Sequence, residues 1–558
     1  MRLVACLVLM LVVIGVPRAP SPTLGSMPLS HLLRGAAPVA APANRLGVES
    51  RVHALLRGEA RAANALDADL VALARAGTEP MAIVAAALRV GERDVAETAS
   101  ETVRAELEPP ALDGDFGLAV AIATRANLER LDPPSREALA TLVAAVERAG
   151  LEAEAAGCMD PRRVELASRI AQALARGDAP AQADLEAAST IRDGALVAAS
   201  MRLLHAIDHA RGVFARAWRD PERLGLFTLP AGDDWPRDLV LALRSRAGLI
   251  LVTGPAASVI PTRGVAAVID MGGDDVYTDA IGLPGIALVD VPATFVLDLD
   301  GDDDYVGSRG RLGGGIGGIG LIDDSDGRDT YEARAPGIGV GVLGVALLVD
   351  RAGDDRYDGE RVAFGAAAFG TAVLVDVDGD DRYQVRGFGL GAATDAGFGA
   401  VIDAAGYDLV IVAPPPTSAD EACIAVGGVS ISGLGPPGTA LWFDRRGDDI
   451  VRIGAGSGAF ADGCGLALAI DLAGDDVVSG GDWCLGSGRA AGFALYRDLA
   501  GADRVVARRQ SLGFAFDAIA LAIDDGGEDE RITLEPGRGA REHGGAGVFA
   551  DLPDEAPR

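Results

Sequence analysis

Lysine is absent from this chain: all 50 of its basic residues are arginine. That alone rules out a Walker-type phosphate loop, which needs its lysine. No G-x-S-x-G elbow of the hydrolase kind is present either. Aromatic residues make up only 4 %, and there are five cysteines in 558 residues, at spacings that form no zinc pattern. Positive charge is in deficit. Against 81 acidic residues the formal net charge is −31, which repels phosphates and argues against nucleic acid as a partner. Such a balance favours cations, or simple solubility.

What is abundant is glycine, 74 residues, in a chain that is 49 % hydrophobic. This is too apolar for disorder and too glycine-rich for a conventional globule, and it suits a repetitive fold with tight turns. The length calls for two or more domains. Arg2, an apolar run from Leu3 to Val16 and then Pro17-Arg18-Ala19 read as an export signal over 1–19. Fourteen apolar residues are short for a membrane span. No clean A-x-A site follows, so an uncleaved anchor is the alternative. Leu3-Val4-Ala5-Cys6 looks like a lipobox but precedes the apolar run, so Cys6 reads as an ordinary signal residue. An exported chain can pair Cys158, Cys423, Cys464 and Cys484, with connectivity open.

Residues 20–44 are rich in Pro, Ala and Ser and read as a linker. From 45 to 221 the chain turns to Ala, Leu, Arg and Glu, with apolar residues at helical spacing (Leu55, Leu56, Ala63, Leu66, Leu70, Leu73). Breaks at Gly77, Pro109-Pro110, Pro133-Pro134 and Gly177 divide it into five or six helices. A connector follows over 222–262, with apolar stretches such as Leu249 to Val252.

From 263 to 551 the chain is periodic, and a tail of 552–558 follows. The unit is G-x5-D-x-x-G-x-D. Its first Asp stands at 270, 298, 324, 350, 376, 403, 444, 471, 498 and 524, mostly 26–27 residues apart, with a truncated copy at Asp551. The step from 403 to 444 is 41 residues. In all ten full copies a Gly follows three residues on and a second Asp five residues on. Seven residues after the first Asp comes Tyr in five copies, then Val in four. The apolar segment before the first Asp reads as a strand covered on both faces, such as Val345 to Val349. D-x-x-G-x-D reads as a turn in which Gly supplies positive φ, and a glycine-rich return closes the unit. This period suits one coil of a parallel β-helix, with three short strands and three turns, and is too short for a propeller blade. The expected fold is therefore multidomain, α plus β: an N-terminal α-helical bundle followed by an all-β solenoid of about 26–27 residues per coil.

Stacked coils place equivalent residues about 4.8 Å apart. Two aspartate rows result: Asp270, Asp298, Asp324, Asp350, Asp376, Asp403, Asp444, Asp471, Asp498 and Asp524, and beside them Asp275, Asp303, Asp329, Asp355, Asp381, Asp408, Asp449, Asp476, Asp503 and Asp529. Like charges at that spacing repel by roughly 0.9 kcal/mol per neighbour even in water. Cations between the rows reverse the sign, and carboxylates with turn carbonyls are the oxygen ligands Ca²⁺ takes. All twenty are candidate metal ligands, and several Ca²⁺ ions are the expected cofactor. The bland alternative is a set of solvated Asp-Gly turns, but Asn or Ser would serve a turn equally well.

Gly273-Asp274-Asp275-Val276-Tyr277 and Gly353-Asp354-Asp355-Arg356-Tyr357 resemble the second half of the RTX calcium-repeat nonapeptide. The match is to G-x-D-x-apolar alone, since the unit here is three times longer and the leading Gly-Gly is mostly Asp-x-x. RTX repeats form calcium-loaded β-rolls in secreted bacterial proteins, so the resemblance implies a calcium-binding turn in that setting. Asp298-Leu299-Asp300-Gly301-Asp302 looks like the start of an EF-hand or dockerin loop but lacks its closing Glu.

Three other motifs read as structural. His205 and His209 with Asp208 approximate a metalloprotease H-x-x-E-H with Asp for Glu and no third ligand; they read as a helix-face pair. Gly339 to Gly344 fits G-x-G-x-x-G but belongs to the repeat's return. The long coil 403–444, with Pro414-Pro415-Pro416, Asp420, Glu421 and Cys423, reads as a tolerated loop, a local binding site being the alternative. The chain is expected to be an exported structural or adhesive, surface-associated protein, extracellular, on the cell surface or in the periplasm, and not an enzyme. Its expected partners are divalent cations, then a surface polysaccharide or protein; a membrane enters only through the first segment. The competing reading is a polysaccharide lyase or hydrolase on a parallel β-helix, although no coil is distinct enough to nominate.

Overall fold

The computed structural model describes residues 28–33, 51–93, 117–218, 235–282, 291–307, 312–413, 427–429, 438–527, 529–533, 541–542 and 546–551. The signal over 1–19, Cys6, Pro109-Pro110, the insertion around Pro414 to Cys423 and the tail over 552–558 lie outside them. Among the described residues the helices are α1 (Leu29–Leu32), α2 (Arg51–Leu56), α3 (Ala60–Ala74), α4 (Pro80–Val90), α5 (Gly117–Arg130), α6 (Pro133–Ala155), α7 (Pro161–Arg176), α8 (Gln182–Ala188) and α9 (Gly194–Ala217). The described breaks, at Gly77, Pro133-Pro134 and Gly177, fall at or between helix ends. Asp132 and Asp160 cap α6 and α7, accepting from Ser135 N at 3.0 Å and Arg162 N at 2.9 Å, with proline in the first helical turn behind each. Gly177 closes α7 at φ 78°, where a side chain would be strained. No described helix is long and apolar enough to cross a membrane.

The repeats form a parallel β-solenoid with three faces: sheets of 13, 11 and 9 strands. From Ala293 to Glu542 each coil gives one strand to each sheet, so the three-strand unit holds there. The strand before the first Asp joins the 13-stranded sheet, as in Val345–Asp350 beside Thr371–Asp376. The Tyr or Val strand joins the 11-stranded sheet, and the glycine-rich return joins the 9-stranded one. Successive repeats align residue on residue, Asp350 opposite Asp376, Asp376 opposite Asp403 and so to Asp551. The long step from 403 to 444 keeps this register, Phe398–Asp403 pairing with Thr439–Asp444.

Two boundaries shift. Residues 239–263, read as connector, already belong to the sheets: Leu239–Ser245 and Gly248–Thr253 pair as an antiparallel hairpin, and the second strand runs parallel to Val265–Asp270. Within the linker, α1 docks on α3, Leu29 N donating to Asp67 Oδ2 at 2.8 Å.

The apolar run on both parities of the first strand now has its explanation. Val345, Leu347 and Val349 point outward and share one core with helix residues such as Leu66, Val84, Leu203 and Ile207. Leu348, Leu374 and Val401 point inward among the tyrosines. The helical bundle thus shares its core with the largest sheet, which its helices cover on the outside. Each fully buried Leu or Val contributes about 1.5–3 kcal/mol. A second apolar cluster seats α7 and α8 on the 9-stranded sheet, through Leu166 and Ile170 against Val340 and Val342. Polar clamps fix the layer: Arg351 pairs with Asp323 of the solenoid at 2.7 Å and Asp208 of α9 at 3.0 Å.

Candidate metal centre

The repeat Gly holds its place for a reason other than the one its turn suggests. Several of these glycines have positive φ, but Gly327, Gly379, Gly406 and Gly474 do not. The shared constraint is spatial: a Cβ on Gly379 would lie 1.6 Å from the carbonyl oxygen of Gly353 in the preceding coil, and one on Gly474 1.6 Å from Gly447 O. Only glycine lets the turns stack this closely. That close stacking brings the two Asp rows together.

Both rows point into the protein. Asp270, Asp298, Asp324, Asp350, Asp376 and Asp403 are fully buried, and Asp275, Asp303, Asp329, Asp355, Asp381 and Asp408 nearly so. The solvated-turn alternative does not fit this. Repulsion across water is accordingly not the dominant cost; desolvation of charge is. In the second row each carboxylate uses one oxygen to accept the backbone N–H of its counterpart one coil earlier: Asp303 N to Asp329 at 2.7 Å, Asp329 N to Asp355 at 2.6 Å, Asp355 N to Asp381 at 2.7 Å, and onward to Asp503 N and Asp529. The other oxygen has no hydrogen-bond partner in Asp275, Asp303, Asp329, Asp355, Asp381, Asp408 and Asp503. In the first row an oxygen of Asp324, Asp350 and Asp376 is likewise unpartnered.

Carboxylates of the two rows converge in groups of three. Asp298, Asp303 and Asp324 offer oxygens within 4.8 Å of one another; so do Asp324, Asp329 and Asp350; Asp350, Asp355 and Asp376; Asp381, Asp403 and Asp408; and Asp408, Asp444 and Asp449. Oxygens across one Ca²⁺ lie at most about 5 Å apart, given ligand distances of about 2.3–2.6 Å, so the spacing fits. Burial first, and neighbouring aspartates after it, push the acids upward: Asp303 and Asp355 to about 11, Asp329 and Asp408 to about 8, Asp275 to about 7. Without a cation these carboxyls hold protons.

Two participants escaped the sequence reading. The repeat Tyr does more than begin a strand. Tyr277, Tyr305, Tyr331, Tyr357 and Tyr383 form a buried stack with ring centroids 4.6–4.8 Å apart. Their hydroxyls donate to the first Asp row, Tyr331 to Asp350 at 2.7 Å, Tyr357 to Asp376 at 2.6 Å and Tyr383 to Asp403 at 2.7 Å. The second is Arg531, which takes the Tyr or Val position in the tenth copy. Its guanidinium pairs with both carboxylates of that copy, Asp524 and Asp529, the latter at 2.6 Å. The signal was visible as the one basic residue at that position in the ten full copies.

Other candidates stay structural. His205 and His209 are exposed on α9, and their Asp208 is engaged by Arg351 and Arg211. Gly339 to Gly344 lies in a return strand. Cys158, Cys464 and Cys484 are free and buried; Cys423 lies outside the described residues. The chain matches no protein-family model, no curated protein and no solved structure. What stands is a β-solenoid whose clustered aspartates could bind metal ions.

Proposed function

We propose that this is an exported structural or adhesive protein whose solenoid is held together by divalent cations, Ca²⁺ foremost, at one ion for each coil's carboxylate pair. The observation that carries the reading is Arg531. In the tenth copy a built-in guanidinium sits between the two carboxylates. In the copies before it Tyr or Val stands there, and in the first six of them a carboxylate oxygen of Asp275, Asp303, Asp329, Asp355, Asp381 and Asp408 has no hydrogen-bond partner. A divalent ion supplies to those copies what arginine supplies to the last, and it cancels their two charges.

All-oxygen, carboxylate-rich sites favour hard cations, and the crowded interior favours Ca²⁺ over Mg²⁺, which keeps several waters. The RTX-like half-motif and the leader-like first nineteen residues agree with folding on arrival in a calcium-rich exterior, since ion binding adds directly to folding free energy. The test uses the full chain at neutral pH, stripped with a chelator and then given Ca²⁺. The expected result is recovery of the β circular-dichroism signal and a large rise in melting temperature. Equal melting with and without Ca²⁺ removes the reading.

A further inference from the structure

The aspartate ladder has two chemically different halves. Through the first five coils the tyrosine stack fills the space beside it. From the sixth coil the same position is Val410, Val451, Val478 and Val505, in register one with the next. The strand facing them compensates only in part. Its inward position reads Val401, Trp442, Ala469, Tyr496, Ala522, so large and small residues alternate. Trp442 meets Tyr383 edge-on at 5.8 Å and ends the stack. Between Trp442 and Tyr496, at Ala469, a partly open cavity of about 60 Å³ remains.

Its walls are mostly aliphatic and aromatic, and the polar groups among its lining are Asp444, Asp449, Asp471 and Asp476, with the Tyr496 ring beside them. Next to it lies the cluster of Asp408, Asp444 and Asp449. Asp408 is buried to 2 % exposure, and one of its oxygens has no hydrogen-bond partner. The cavity is several times the roughly 10–15 Å³ that one water needs, and its acidic side gives that water partners. Three carboxylates alone fall short of the six to eight oxygens Ca²⁺ takes. In the tyrosine coils the missing ligands have to come from protein; in the valine coils there is room for water.

We infer that the valine coils around Asp408, Asp444, Asp449, Asp471 and Asp476 form a hydrated cation site, whose ion keeps inner-sphere water and exchanges readily, while the tyrosine coils hold theirs dry. This rests on the cation reading above and adds to it where, along the ladder, the exchangeable ion sits.

The probe is Eu³⁺ in the metal-stripped full-length protein, with emission decays compared in H₂O and D₂O to count waters on each bound ion. Two populations are expected, one dry and one hydrated, the hydrated one displaced first by added Ca²⁺. Val451→Tyr places a ring in the cavity and is expected to remove the hydrated population while leaving the dry one. Tyr357→Val does the reverse in the other half and is expected to raise the hydrated fraction; it decides the matter should Val451→Tyr fail to fold. A single population in the native protein, or a hydrated population that survives Val451→Tyr in a folded protein, overturns the inference and leaves the cation reading intact. No Eu³⁺ bound at all removes both.

Discussion

Asp408 turns the buried ladder into a statement about pH. Burial, and then the charge of Asp449, raise its carboxyl from the ordinary 3.8 to about 8. In the metal-free native state it keeps a proton that the unfolded chain has already released. Its contribution to stability is therefore complete below 3.8 and is lost as pH rises toward 8. Within that window each pH unit costs about 1.4 kcal/mol, so going from about pH 5 to about pH 7 costs roughly 3 kcal/mol from this group alone. Asp303, Asp329 and Asp355 are raised for the same reason and add in the same direction. Domains have about 5–15 kcal/mol in total, so the solenoid without ions should lose its fold on the way to neutrality. With saturating Ca²⁺ the slope reverses, because the ion binds the deprotonated carboxylates. Denaturant unfolding followed by circular dichroism, at about pH 5 and about pH 7.5, with chelator and with Ca²⁺, reads both slopes. A chelated protein equally stable at the two pH values refutes the claim that these carboxyls are buried without charged partners.

Three substitutions probe the parts separately. Tyr357→Phe removes the hydroxyl that donates to Asp376 at 2.6 Å and Asp350 at 3.2 Å, and should cost about 1–3 kcal/mol in denaturant unfolding. Gly379→Ala puts a Cβ 1.6 Å from Gly353 O and forces neighbouring coils apart, for a loss of about 1–3 kcal/mol in the same assay. Arg531→Gln strips the tenth pair of its cation and should cost about 3–5 kcal/mol in chelator; added Ca²⁺ should recover part of it, since Asp524 and Asp529 then resemble the other pairs. Failure of Ca²⁺ to recover any of it would count against the equivalence of ion and arginine.

The solenoid was legible because its information is periodic. Asp, Gly and Asp at fixed offsets, with a constant step, give the coil, its strands and the alignment of Asp350 with Asp376 without any knowledge of distant contacts. The helix ends were legible through local signals, as at Asp132-Pro133 and Gly177. The relation between the two parts was not. Val345 and Leu347 announce a covered face, but nothing local says that α4 and α9 cover it, because that packing joins residues over a hundred positions apart. The direction of the aspartates was hidden for a similar reason. A D-x-x-G-x-D turn reads as a surface feature, and only the stacked tyrosine hydroxyls inside show that the acids point inward. The repeat glycine was identified correctly but for positive φ, whereas Gly379 is held by its approach to Gly353.

The most direct test is an ion count. Full-length protein, dialysed at neutral pH against Ca²⁺ and then freed of loose ions, is assayed for bound calcium per chain by elemental analysis alongside isothermal titration of the stripped protein. Close to one Ca²⁺ is expected for each coil whose carboxylate pair lacks an arginine, with unfolding when the ions are withdrawn. A protein that carries no divalent ion and stays fully folded at neutral pH and low salt would contradict that expectation.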